Sequence, residues 1–290
     1  MDIYCKNHKF SLKNTTTSQI INKYHVGKMI GGNFFLTPYE ALFLYLKGKI
    51  SPEESDELVF FFNSVLDDDI YTYLAYETLK NRGYYIKKVG HKFYYKKIKN
   101  EKYGSPIILK RETDKISFND LYNELPAIFI TLDEERGVTF FSGQSIDPHG
   151  TIINENLENV NVNKAGNVHY IDGSAPPWFG EPFHNIKLLN EFETNYLTHS
   201  VKSDEDVLYQ DLLHRNFIVK SGFKYGEHFR IYTKSMDEHA EYLVTFIEDE
   251  EWYKISRAIR LSISVRKKIL FSGYCNGELR YIEINRLKDV

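Results

Sequence analysis

Three side chains in the second half of this sequence could together cleave RNA without a metal ion. Tyr232, His239 and Lys267 fall within residues 208 to 268 of a chain of 290 residues. RNA carries its own nucleophile, the 2′-hydroxyl, so cleavage needs a base for that proton, an acid for the leaving 5′-oxygen and a cation for the phosphorane. His239 suits the acid role, because the unperturbed pKa of histidine, about 6.5, lies nearest neutrality.

The base is harder to assign from residue types. Tyr232 carries a phenol whose unperturbed pKa is about 10, so it acts as a base at neutral pH only if a cation lowers that pKa. Lys267 could supply this charge, or it could hold the scissile phosphate as a point charge, and the sequence leaves both roles open. The products would be a 2′,3′-cyclic phosphate and a 5′-hydroxyl.

Each of these side chains also has a purely structural interpretation. A lone histidine before a strand is usually a polar surface or cap residue, and a lysine after a helix favours the negative end of the helix dipole. Tyr232 could be a core residue, since the chain has 22 tyrosines and 20 phenylalanines and aromatic rings dominate protein cores.

A basic segment accompanies these side chains. Six lysines and arginines, and no acidic residue, lie between positions 254 and 268. Small or apolar residues recur there at helical spacing, which predicts a stripe that faces the core; they are Ile255, Ala258, Ser262, Val265 and Ile269. We expect Arg257, Arg260 and Lys267 together on another face of this helix, and Arg257, Arg260 and Lys268 in contact with RNA.

The composition limits the class of protein. The net charge of −3 argues against a generally basic coat, so RNA contacts must come from local clusters of lysine and arginine. Cys5 and Cys275 are far apart and lack metal-ligand spacing, which favours a reducing compartment and a cytoplasmic protein. We expect no membrane span and no signal segment. We also expect no metal and no cofactor, since no HExxH, Cys/His cluster or paired-carboxylate nuclease motif occurs.

An internal repeat organises the chain. The string YETLKNRGYYIKKVGHKFYY (residues 76 to 95) resembles YQDLLHRNFIVKSGFKYGEHF (residues 209 to 229), which indicates a duplication. Each copy predicts a helix, a hairpin, an apolar strand, a further helix and a second hairpin, preceded by a short helical segment. The predicted fold is α+β, with mixed α/β modules.

We predict a tandem duplication of a two-module unit, in which a small helical/β N-terminal module precedes a restriction-endonuclease-like α/β module. The predicted boundaries are 1–65 and 66–145 for the two modules of the first copy, 146–167 for a linker, and 168–203 and 204–290 for the two modules of the second copy.

The strings GFKYGEHFRIY, HAEYLV and SRAIRLSISVRKK, in a duplicated chain, resemble the archaeal tRNA-splicing endonucleases of the fused two-repeat, homodimeric type. The resemblance covers about residues 22 to 286. It implies that Tyr232, His239 and Lys267 are the catalytic residues and that precursor tRNA is cut at bulge-helix-bulge sites. The loop TKSMDE between Tyr232 and His239 is shorter than this family leads us to expect.

The resemblance also implies roles outside the three catalytic residues. Arg260 and a C-terminal arginine would clamp a flipped base of the RNA bulge, with Arg286 favoured over the nearby Arg280. Arginine suits this role because its planar guanidinium stacks on bases and binds phosphate.

The first copy departs from the catalytic pattern. Ala127 corresponds to Lys267, the region that corresponds to His239 reads YGSPII, and the strand that corresponds to Tyr232 ends in lysines and Asn100. This copy should be catalytically inactive, and the joint presence of the three residues in one copy alone favours a chemical role for them.

The first copy has an acidic turn that the second lacks, formed by Asp133, Glu134 and Glu135. In the family such a turn inserts into a basic cleft of a partner subunit, so these residues would join two chains in a homodimer. An ordinary solvated turn is the alternative, because acidic residues and glycine favour turns in any case.

The leading hypothesis is thus a metal-independent tRNA-intron endonuclease. One rival is a non-catalytic RNA-binding or scaffold subunit that needs a separate catalytic partner. A second rival is a metal-dependent nuclease on a restriction-enzyme-like fold.

Overall fold

The protein is a mixed α+β chain in a computed structural model that describes residues 2–6, 9–12, 22–30, 33–49, 51–52, 56–152, 157, 160–172 and 175–288. Parts of the expected modules 1–65 and 168–203 and of the expected linker 146–167 lie outside these residues. Along the chain the elements are β1 (Asp2–Lys6), β2 (Lys9–Leu12), β3 (Lys28–Ile30), β4 (Asn33–Leu36), α1 (Pro38–Leu46), β5 (Ser51–Pro52), α2 (Asp56–Asn81), β6 (Tyr85–Val89), β7 (Lys92–Lys96), β8 (Ile107–Arg111), β9 (Lys115–Ser117), α3 (Phe118–Asn123), β10 (Ala127–Leu132), β11 (Val138–Ile146), β12 (Asn163–Ala165), β13 (Val168–Asp172), β14 (Glu181–Phe183), β15 (Ile186–Leu189), α4 (Glu191–Leu197), α5 (Asp204–His214), β16 (Ile218–Ser221), β17 (Phe229–Tyr232), β18 (Tyr242–Phe246), β19 (Asp249–Glu251), α6 (Trp252–Ser264), β20 (Lys268–Cys275) and β21 (Glu278–Leu287).

These elements form two compact units. The first comprises Met1–Arg111 and Ala127–Thr139, and the second comprises Glu112–Pro126 and Phe140–Val290. The first unit contains a small sheet in the order β3-β4-β2-β1-β5 and a second sheet in the order β10-β8-β7-β6. In that second sheet β7 is antiparallel to β6 and β8, and β8 is parallel to β10.

Local sequence signals account for the start of the first unit's short helix. The side chain of Thr37 accepts a hydrogen bond from the backbone N–H of Glu40, and the Glu40 carboxylate accepts one from the backbone N–H of Thr37. This reciprocal pair is a capping box. Pro38 stands at the first helical position, where its missing N–H costs nothing.

The second unit is built around a sheet with the order β16-β17-β18-β20-β21-β11. Only β18 and β20 are parallel in this sheet, and α6 lies between them in sequence. A smaller antiparallel sheet has the order β12-β13-β15-β14. Helix α5 packs on the main sheet through a continuous apolar cluster; it includes Leu208, Tyr209, Leu212, Phe217, Val219, Phe229, Ile231, Val244 and Leu270.

The expected linker is hydrogen-bonded to the second unit at its start. The N–H groups of Gly150 and Ile152 donate to the carbonyls of Arg215 and Asn216, and that of Thr151 donates to Thr233. A β-carbon at position 150 would lie 2.1 Å from the Asn216 carbonyl oxygen. Glycine is therefore required where this segment passes the end of α5.

We predict that Leu212→Ala destabilises the protein by about 3 kcal/mol, because it removes buried methyl groups and leaves a cavity. Leu212 is 0% exposed in the core that supports the main sheet. Urea unfolding should detect the change. Val201→Ala is the control, since Val201 is 57% exposed, and its effect should stay within about 0.5 kcal/mol. Equal effects of the two variants would contradict this account of the core.

Candidate active site

Tyr232, His239 and Lys267 converge on one edge of the main sheet of the second unit. Ile231 pairs with Tyr242 in the β17–β18 ladder, and Tyr242 pairs with Lys268 in the β18–β20 ladder. Because β17 is antiparallel to β18 and β18 is parallel to β20, the end of β17 lies beside the starts of the other two strands. Each of the three side chains belongs to one of these strand ends or to the residues just before it.

Lys267 lies outside the helix on which it was expected. The N–H of Lys267 donates to the Ser262 carbonyl, and the N–H of Arg266 donates to the Ile263 carbonyl. With Arg266 at a φ of 56°, this is the Schellman pattern that ends helices. The expectation that Lys267 shares a helical face with Arg257 and Arg260 is therefore wrong, since α6 ends at Ser264.

Two contacts fix the half-buried side chain of Lys267. Its Nζ donates a hydrogen bond of 2.6 Å to the carbonyl oxygen of Ala240, the residue that follows His239. The same Nζ lies 5.8 Å from the centre of the Tyr225 ring, within the range of cation–π attraction. The lysine thus links the His239 loop to a tyrosine that the sequence did not single out.

Tyr225 has a lowered phenol pKa. Burial opposes its ionisation and is the largest single effect, but a hydrogen bond with Lys224 and the charges of Lys224, Lys267 and Arg230 together outweigh burial. The three cations favour the phenolate. Tyr225 stands in the quoted string GFKYGEHFRIY, yet the sequence cannot show which of many tyrosines meets Lys267.

Tyr232 and His239 differ in their exposure. Tyr232 is 8% exposed and packs with Ile218 and Ala240, against which Ile152 and Trp178 also lie. His239 is exposed in the loop between β17 and β18. Ala240 therefore contacts the Tyr232 cluster through its side chain and Lys267 through its carbonyl, which connects the three segments.

The buried face of α6 only partly matches the predicted stripe. Trp252, Ile255, Ser256, Ile259 and Ser262 are buried. Of the predicted positions, Ala258 and Val265 are half-buried, and Ile269 is buried in β20.

Arg257 and Arg260 are both exposed on α6, as an RNA-contacting face requires. Lys268 is already paired, because its Nζ lies 3.1 Å from a carboxylate oxygen of buried Glu283. That pair offsets much of the Lys268 charge.

The two C-terminal arginines lie at opposite ends of β21. Arg280 pairs with Gly273, near the hairpin turn, and forms an ion pair with Glu278. Glu283 pairs with Leu270 near the start of β20, and exposed Arg286 lies three residues further along β21. Arg286 is therefore nearer than Arg280 to the start of β20, which Lys267 precedes.

A cavity of about 420 Å³ lies beside Tyr225, between the turn after β16, strand β18 and helix α6. Glu227 lines this cavity. Burial raises the pKa of its carboxyl to about 7, although a hydrogen bond from Thr245 and the charge of Arg257 act in the opposite direction.

The acidic turn lies in the first unit, where β10 ends. Glu134 and Glu135 are exposed at its tip. The Asp133 carboxylate instead accepts a hydrogen bond of 2.6 Å from the N–H of Gly137, so it stabilises the turn itself. Two of the three acidic residues are therefore presented to solvent.

The described part of the chain contains no group of three or more His, Cys, Asp or Glu residues arranged to hold a metal ion. None of its helices combines the length and apolar character needed to cross a membrane.

We predict that Lys267→Met raises the pKa of Tyr225. The ammonium of Lys267 favours the phenolate, so its loss should shift the titration of Tyr225 toward higher pH. NMR titration of ring signals, assigned by comparison with Tyr225→Phe, would measure the shift. Lys164→Met removes an exposed lysine from β12 and should leave the titration unchanged. An unchanged pKa in Lys267→Met would contradict the contact.

Comparisons with known proteins show the family of this chain. The family model described as tRNA intron endonuclease, catalytic C-terminal domain, matches residues 205–281. The chain is 40% identical to a tRNA-splicing endonuclease of Picrophilus torridus over 97% of this chain and 95% of that protein. It is 37% identical to one of Thermoplasma volcanium, over 93% of this chain and 92% of that protein. Since relatives of 37% and 40% identity match nearly the whole chain, the protein belongs to the archaeal tRNA-splicing endonuclease family.

Proposed function

We propose that this protein excises introns from precursor tRNA at bulge-helix-bulge sites by metal-independent attack of the 2′-hydroxyl. The observation that carries the proposal is the convergence of Tyr232, the His239 loop and Lys267 at one sheet edge, held by the bond from Lys267 to the Ala240 carbonyl. The products are a 2′,3′-cyclic phosphate and a 5′-hydroxyl. The enzyme works in the cytoplasm.

The roles of His239 and Lys267 follow from exposure and charge, and that of Tyr232 from the resemblance to the family. His239 is exposed and is the acid that protonates the leaving 5′-oxygen. Lys267 stabilises the charge on the phosphorane, since its ammonium has three donors and one of them is used by the Ala240 carbonyl. Tyr232 is the base. Tyr225 helps to position the Lys267 ammonium at this end of the sheet through the cation–π contact.

The substrate is recognised by shape. The deep groove of an RNA helix hides its bases, whereas bulged bases are accessible. Arg260 and Arg286 clamp one flipped base, and Arg257 binds backbone phosphate; all three are exposed. Lys268 adds a weaker contact, because Glu283 already compensates its charge.

The chain arose by tandem duplication of a two-module unit. The sheet topology supports this duplication. The first unit has the strand order β6-β7-β8-β10 and the second has β16-β17-β18-β20; in each, the first two pairs are antiparallel and the third is parallel. The N–H of Ile128 donates to the Pro106 carbonyl, as the N–H of Lys268 does to the Glu241 carbonyl.

If Ile128 corresponds to Lys268 and Pro106 to Glu241, residues of the first copy can be matched to the proposed catalytic positions. Ala127, which precedes Ile128, takes the position of Lys267 and is buried. Phe93 pairs with Ile107 as Ile231 pairs with Tyr242, so Tyr94 takes the position of Tyr232, where lysines were expected. The first copy thus lacks the histidine and the lysine rather than all three side chains.

We predict that His239→Ala lowers cleavage of an intron-containing precursor by at least about 100-fold, because a general acid contributes 10²- to 10⁴-fold. The assay uses the purified chain alone, in EDTA. His91→Ala, which alters an exposed histidine of the first unit, should keep full activity. Unchanged cleavage by His239→Ala would refute the acid role.

Other outcomes separate the rival functions. Loss of all wild-type activity in EDTA would favour a metal-dependent nuclease. Activity that appears only after a second protein is added would favour a scaffold subunit.

The functional form is a homodimer, joined by the acidic turn of each chain in a basic cleft of the other. We predict that the triple variant Asp133→Asn, Glu134→Gln, Glu135→Gln shifts the solution mass from dimer to monomer at low concentration. Asparagine at position 133 can still accept the bond from Gly137. Light scattering after size-exclusion chromatography would measure the mass.

The control for this prediction neutralises three exposed acids of the second unit, Glu181, Glu191 and Glu278, and should remain dimeric. A triple-turn variant that dimerises as strongly as wild type would rule out the turn as the link between chains.

A further inference from the structure

Phe223 presents an aromatic ring almost entirely to solvent. The residue is 89% exposed, more than any other large hydrophobic residue in the described part of the chain. Exposing a phenylalanine forgoes the stabilisation that burial of its ring would give. Such exposure is therefore typical of a ring that contacts a binding partner.

The turn that carries Phe223 has a fixed conformation. It is a 3₁₀ turn, Phe223–Tyr225, between β16 and β17. The N–H groups of Tyr225 and Gly226 donate to the carbonyls of Gly222 and Phe223, and the N–H of Gly222 donates to His228. His228 in turn accepts from the backbone N–H of Phe246 in β18.

Both flanking glycines are required by this conformation. A β-carbon on Gly222 would lie 2.7 Å from the Glu227 carbonyl oxygen, and Gly226 has a φ of 75°, which L-residues with side chains rarely adopt. The ring of Phe223 thus projects from a preformed support.

A cationic side chain lies next to Phe223 in the turn. The exposed residues within three positions of it along the chain are Ser221, Lys224 and Gly226, none of which is apolar. Within the same turn, the Tyr225 ring centre lies 4.9 Å from the Nζ of Lys224 and 5.8 Å from that of Lys267. An exposed aromatic ring in a turn that also holds positive charge suits a polyanion that offers flat apolar faces, which is what an unpaired RNA segment is.

We propose that Phe223 is a stacking platform for one unpaired base of the RNA, close to the phosphate that Lys267 contacts. This inference rests on the proposed function and adds a binding contact to it. Lys224 neutralises the backbone phosphate beside the stacked base, and the fixed turn lowers the entropic cost of ordering the RNA. Stacking tolerates any base because every base has a π-face, so the contact contributes affinity and position rather than sequence preference.

The test measures RNA binding without cleavage, in the His239→Ala background. The probe is a bulge-helix-bulge RNA with 2-aminopurine at one unpaired position at a time. Phe223→Ala should weaken binding between about fivefold and about a hundredfold, and should remove the fluorescence quenching at one position only. Phe223→Trp keeps an aromatic face and should restore both.

Phe183→Ala is the matched control, because Phe183 is an exposed phenylalanine of the same unit, in β14. It should bind RNA like its parent. Equal binding by Phe223→Ala and its parent would overturn the platform while leaving the proposed function intact. A drop in solution mass in Phe223→Ala, with RNA affinity unchanged, would instead make the ring a contact between protein chains. Failure of the parent itself to bind the RNA would contradict both proposals.

Discussion

The parallel pairing of β18 with β20 is the constraint on which the candidate site depends. Parallel neighbours cannot be joined by a tight turn, so the chain must cross from one end of the sheet to the other between them. Helix α6 makes this crossing and packs through Trp252, which is fully buried. The starts of both strands therefore meet at one edge, and Lys267 reaches the Ala240 carbonyl there.

Much of this arrangement could be predicted from the sequence. Helix–hairpin–strand order followed from apolar periodicity and glycine positions, and the elements α5, β16, β17 and β18 occur where expected. The three proposed catalytic residues came from their types, from the repeat and from the resemblance to the family, and their roles stay predictions. The predicted end of α6 was wrong. Arg266 takes the left-handed conformation that ends the helix, a position where glycine is usual, so the residue types gave no sign of the helix end.

Contacts between side chains of different strands and turns could not be predicted from the sequence, for a different reason. Tyr225 meets Lys267 because a turn folds back over the sheet, and strand register decides which of many tyrosines does so. Register likewise decides which of the two C-terminal arginines is nearer the start of β20, and it is Arg286 rather than Arg280. These are consequences of pairing between distant segments, which spacing along the chain does not encode.

The two proposed copies differ in the length of their first hairpin loop. Residues 90 and 91 connect β6 and β7, whereas residues 222 to 228 connect β16 and β17. Lengthening a surface loop costs little stability, about 0.6 kcal/mol for each doubling in a flexible chain. Loops of different length can therefore connect similar strand pairs without disturbing the hydrogen bonds of the sheet beneath. Phe223, Lys224 and Tyr225 all lie in the longer loop, where the fold tolerates changes in length best.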